Sequence, residues 1–125
     1  MSKQLMEVVL PRLARRLYRQ LQRYRAGELD DSAFTEAFES LLQRQHLWLS
    51  ERGVSDARAA VAIHGAVLVL SGPGLRAEAT ETRLPLEIIE FRAVRAAAAD
   101  IASNYGANEA KLVHEIGAIV ARYGD

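Results

Sequence analysis

The sequence predicts an all-α fold, a single-domain bundle of about five helices over residues 1–125 with an apolar third helix at its centre. Three observations predict it. Apolar residues recur at spacings of three and four along most of the chain, the period of one helix face. Asp, Ser and Asn stand where such helices would begin, and glycines stand where they would stop. The stretch with strand-like residue types, Val67-Leu68-Val69-Leu70, has no second strand to pair with.

The elements follow in order. Met6, Leu10, Leu13, Leu17, Leu21 and Tyr24 form the apolar face of a first helix, which Gly27 ends. Pro11 either kinks this helix or opens its main part, where a missing N–H is tolerated. Asp30 is a good N-cap for a second helix reaching about Arg52, with Phe34, Phe38, Leu41, Leu42, Trp48 and Leu49 on its apolar side. Gly53 supplies the left-handed stop, and Ser55 caps a third helix running to about Ser71. Residues 61–70 are apolar on nearly every side, which suits the middle of a bundle. Ser71-Gly72-Pro73-Gly74 is a firm break. Residues 75–84 read equally as a short helix or an ordered loop. Pro85 fits the first turn of the next helix, striped with Ile88, Phe91, Val94, Ala98, Ile101 and Tyr105. Gly106 stops it, and Asn108 caps a last helix presenting Leu112, Val113, Ile116, Ile119, Val120 and Tyr123. Small residues at Ala59, Ala62, Gly65 and Ala66, at 96–99, and at Gly117 and Ala118 allow close helix packing.

A chain of 125 residues buries roughly two-thirds of its unfolded surface, so it needs neither metal nor disulfide to fold. Cysteine is absent, which removes disulfide frameworks, zinc–thiolate sites and thiol catalysis. No secretory leader is expected, because Glu7 and Pro11 break the short apolar run at residues 5–10. The apolar run at 61–70 falls far short of the ~20 residues that span a bilayer. A cytoplasmic location is expected, with no membrane partner.

Charge is segregated along the chain. Lys3, Arg12, Arg15, Arg16, Arg19, Arg23 and Arg25 face only Glu7 in the first 25 residues. Glu28, Asp30, Asp31, Glu36, Glu39 and Glu51 then face only Arg44, and the whole chain sums to zero. In an antiparallel hairpin, Arg19 is expected near Glu36 and Arg16 near Glu39, an exposed lacing that orients more than it stabilises. The alternative is that Arg12, Arg15, Arg16, Arg19 and Arg23 track a phosphate backbone. Leu21, Gly27, Leu29, Phe34, Leu41 and Leu42 give residues 13–42 a local resemblance to the short helical-hairpin motif called SHOCT, an oligomerisation module usually found at protein C-termini. The chain departs from that pattern at Ala33, where an acid is expected. The resemblance implies self-association of the hairpin.

Residues 100–112 resemble a DNA-binding helix-turn-helix, with Ala102, Gly106 and Leu112 at the packing positions. Ala107 is smaller than the pattern's usual residue, and the exposed set Asn108, Glu109, Lys111, His114 and Glu115 is net negative. A groove-entering helix normally brings arginine or lysine. The alternative is a plain helix–helix corner.

His46, His64 and His114 lie one per helix with no ligand at helical spacing, so no metal or cofactor is expected. His64 is expected to be neutral and buried against a carbonyl, and a three-dimensional pairing with Glu90 stays open. Glu87 and Glu90 share a helix start, where carboxylates complement the dipole. Nothing in the sequence pairs a nucleophile with a base, and no small-molecule substrate is evident. The expected function is protein–protein interaction, either homo-oligomerisation or service as a small subunit or adaptor, with Tyr24, Phe34, Phe38 and Trp48 as interface candidates. The alternative is nucleic-acid binding through the first-helix arginines with Asn108 and Lys111 of the final pair.

Overall fold

The computed structural model describes residues 3–124; Met1, Ser2 and Asp125 lie outside them. The described residues form a helical bundle of α1 (Lys3–Arg25), α2 (Asp31–Glu51), α3 (Asp56–Leu70), α4 (Gly72–Thr82), α5 (Leu86–Tyr105) and α6 (Glu109–Tyr123). The expected caps close these helices. The Asp30 carboxylate accepts from the Ala33 amide at 2.7 Å, Ser55 from Arg58 at 3.4 Å and Asn108 from Lys111 at 3.0 Å. Gly27, Gly53 and Gly106 hold positive φ at the turns after α1, α2 and α5, a conformation costly for any residue with a Cβ.

The chain does break after α3, but over less than residues 71–74: α3 ends at Leu70 and α4 begins at Gly72, so only Ser71 lies between the two helices. Pro73 sits in the first turn of α4, where its missing N–H was never needed. The break is a corner, with a bend of 58° between α3 and α4. Most of the open segment 75–84 is therefore helical, ending at Arg83 in the left-handed region.

The main core joins Leu10, Leu13 and Leu17 of α1 to Ala60, Val61, Ile63 and Ala66 of α3. Val94, Ala98 and Ile101 of α5 and Leu112, Ile116 and Ile119 of α6 complete it. Each of the fully buried leucines contributes on the order of 1.5–3 kcal/mol. A smaller cluster of Val9, Leu49, Val54, Ala59 and Ala62 sits beside it. α3 packs on α1, α2, α5 and α6, with a lesser contact to α4. Ala59 to Ile63, with Gly65 and Ala66, are buried, whereas Val67, Leu68, Val69 and Leu70 are only half-buried. No single helix among the described residues is long and apolar enough to cross a membrane.

The apolar stripe of α5 is buried only in its middle. Val94, Ala98 and Ile101 are core, while Ile88, Phe91 and Tyr105 are exposed and Ile89 takes the buried place near the start.

Candidate interaction surfaces

The α1 arginines emerge on one face because they repeat at three- and four-residue spacings out of phase with the leucines. Arg12, Arg15, Arg16, Arg19 and Arg23 are all exposed. The expected pairing of Arg16 with Glu39 and Arg19 with Glu36 does not form. The ion pairs among the described residues are Arg23 with Glu28 at 3.3 Å, His46 with Asp56 at 2.9 Å, His64 with Asp100 at 3.5 Å, Arg58 with Glu115, and Arg122 with Glu7. The reason is rotational. Phe38 and Leu41 line cavities with Tyr18 and Leu13 of α1. Glu36 and Glu39 each lie two positions away from one of them, about 160° around the helix. Glu36 and Glu39 point away from α1, and Arg12, Arg15, Arg16 and Arg19 take part in no ion pair among the described residues.

The sequence's interface candidates are partly used up inside the hairpin. Tyr24 stacks on Phe34 with ring centroids 4.6 Å apart, and Phe34 lies 5.5 Å from Phe38. The Tyr24 hydroxyl donates to the Asp31 carboxylate, a bond that holds the phenol above its ordinary pKa, aided by the nearby negative charge. Phe34 and Phe38 are half-buried and line a cavity of about 330 Å³ toward Leu70 and Leu75. Trp48 is half-buried with the Arg52 guanidinium 3.5 Å above its ring. Arg52 also donates to the Trp48 carbonyl, which fixes the pair.

The most exposed aromatic ring lies elsewhere. Phe91 is 53% exposed, with Ile88 one turn before it. Phe91 stands at an apolar groove of about 330 Å³ between the α3–α4 corner, α5 and α6. Leu68, Leu75, Val113 and Val120 line this groove, and Gly117 leaves it open, since a Cβ there would meet nothing within 4 Å. Arg76, Glu87 and Glu90 supply its charges. Sequence reasoning missed it because Ile88 and Phe91 share a helical stripe with true core residues.

The final corner joins α5 to α6 through Gly106, and three of its polar side chains are engaged within the fold. The Asn108 side chain accepts the Lys111 amide as a cap, and Asn104 donates to Asp100. Lys111 is exposed, and Glu115 pairs with Arg58. His64 is half-buried and meets the Asp100 carboxylate rather than a carbonyl or Glu90. Burial lowers its pKa, and Asp100 partly offsets this. No group of three or more acidic or histidine side chains that could hold a metal occurs among the described residues. No family model, curated protein or solved structure matches the chain.

Proposed function

We propose that the protein acts by protein–protein interaction and that its partner is a second copy of the chain, bound at the α4–α5–α6 groove. The observation that carries this is the exposed Phe91 beside a groove of a size to hold an aromatic side chain. A buried aromatic anchor in an apolar pocket is the usual centre of an interface. Ring and pocket on the same face suit a two-fold arrangement, in which each copy's Phe91 enters the other's groove. Arg76 on one copy then meets Glu87 or Glu90 on the other, so the charged rim is complementary to itself. In this reading α3 is the bundle's central apolar helix. Its half-buried last turn, with Leu68 and Val69 in the groove, is completed by the second copy. The SHOCT-like hairpin supports self-association independently. Light scattering at about 50 μM protein is expected to give twice the 13.8 kDa chain mass, and one-chain mass across the concentration range would overturn the reading.

A second reading, nucleic-acid binding, is favoured by the unneutralised face of Arg12, Arg15, Arg16 and Arg19. Such binding would weaken on the order of a hundredfold or more between about 50 and 200 mM salt and fail in the Arg15→Ala/Arg19→Ala variant. Flat anisotropy of a labelled duplex at low salt would dismiss it.

A further inference from the structure

The seam between α1 and α2 holds a second, chemically distinct cavity of about 250 Å³. Arg12 and Arg16 enter it from α1, and Arg44 and Gln45 from α2. Leu41 and Trp48 are among its apolar lining, and no carboxylate lines it. Among the described residues, no ion pair involves Arg12, Arg16 or Arg44. The Arg44 Nε donates only to the Ser40 carbonyl of its own helix, at 3.4 Å.

Three arginines lining one concavity with no carboxylate among them concentrate positive charge there, and an anion relieves that repulsion. Arginine's planar fork matches the oxygens of a phosphate, with two parallel N–H donors per group. The volume lies just below the roughly 300–1,000 Å³ of drug-sized ligand pockets, so it suits a small molecule. The indole and the leucine add an apolar wall that a bare inorganic ion would leave uncovered.

We infer that the α1–α2 seam is a binding site for a small phosphomonoester: a dianionic phosphate held by Arg12, Arg16 and Arg44, with an apolar or aromatic body against Trp48 and Leu41. The site is separate from the α4–α5–α6 groove and does not depend on self-association. It shares Arg12 and Arg16 with the nucleic-acid reading, so the test must tell a free phosphomonoester from a backbone phosphate.

The chain has one tryptophan, and it lines this cavity, so its emission reports occupancy directly. The full chain is titrated with phenyl phosphate, with phenol as the neutral probe and inorganic pyrophosphate as the probe without a ring. The expected result is a saturable change in Trp48 emission with phenyl phosphate, none with phenol, and weaker saturation with pyrophosphate. Arg44→Gln and Arg12→Gln should each weaken binding at least about tenfold. Arg95→Gln, an exposed arginine on α5 outside the cavity, should leave it unchanged. Both test positions are exposed and outside the core, and helical circular dichroism verifies that each variant folds. No saturation up to about 10 mM phenyl phosphate, a limit weaker than any specific small-ligand site, overturns the assignment. So does equal affinity in Arg44→Gln. A short DNA duplex that alters Trp48 emission at lower phosphate concentration than phenyl phosphate, through Arg44, would make the seam part of a nucleic-acid track and also overturn it.

Discussion

His64 sits in the second half of α3 with its ring half-buried and the Asp100 carboxylate 3.5 Å from Nε2. Burial disfavours the charged ring, and Asp100 favours it; burial is the larger influence, so the folded pKa falls below the ordinary histidine value. The unfolded chain then binds the proton more readily than the folded one. Stability is therefore full above about pH 6.5 and declines as pH falls from there toward the lowered folded pKa, below which this contribution levels off. Denaturant midpoints between pH 7.5 and 5.5 are expected to fall less in His64→Gln than in the wild type, and more in Asp100→Asn. Equal slopes in all three would remove His64 from the acid response. At this scale the caps Asp30, Ser55 and Asn108 were legible, because a cap is a local signal read against three following residues. The His64 partner was not, since Asp100 comes from another helix and only packing brings them together.

Two glycines show what the helices need from small residues. A Cβ on Gly65 of α3 would lie 2.8 Å from Cγ2 of Ile119 on α6, closer than side chains tolerate. Gly65→Ala is therefore expected to cost about 1–3 kcal/mol by overpacking, despite alanine's better helix propensity. Gly117 of α6 faces open space, so Gly117→Ala is expected to gain about 0.5–1 kcal/mol. Urea unfolding of the two variants checks the pair, and a stabilised Gly65→Ala would contradict this close α3–α6 contact. The sequence marked both glycines as close-approach sites, but periodicity cannot say which face of a small-residue helix meets a neighbour. The same blindness explains the hairpin. Acidic and basic helices in succession suggested neutralisation, yet the packing of Phe38 and Leu41 turns Glu36 and Glu39 away from α1. It also explains α4, whose first residues Gly72, Pro73 and Gly74 read as a breaker until Pro73 is seen at the first turn.

Across the whole molecule, zero net charge conceals two different surfaces. One is the arginine face of α1 with the seam cavity behind it, and the other is the apolar groove around Phe91. The helical bundle was legible from period and caps, whereas both surfaces depended on rotations that no single helix encodes. Ile88 and Phe91 carried a core signature and emerged exposed because nothing among the described residues covers the start of that stripe. In the proposed dimer a second copy covers it. Sedimentation equilibrium of the wild type and of Phe91→Asp, with helical circular dichroism as the folding check, tests this most directly. The wild type should sediment at twice 13.8 kDa and the folded variant at 13.8 kDa. A wild type that stays at one-chain mass, or a Phe91→Asp variant that associates as well as the wild type, would contradict it.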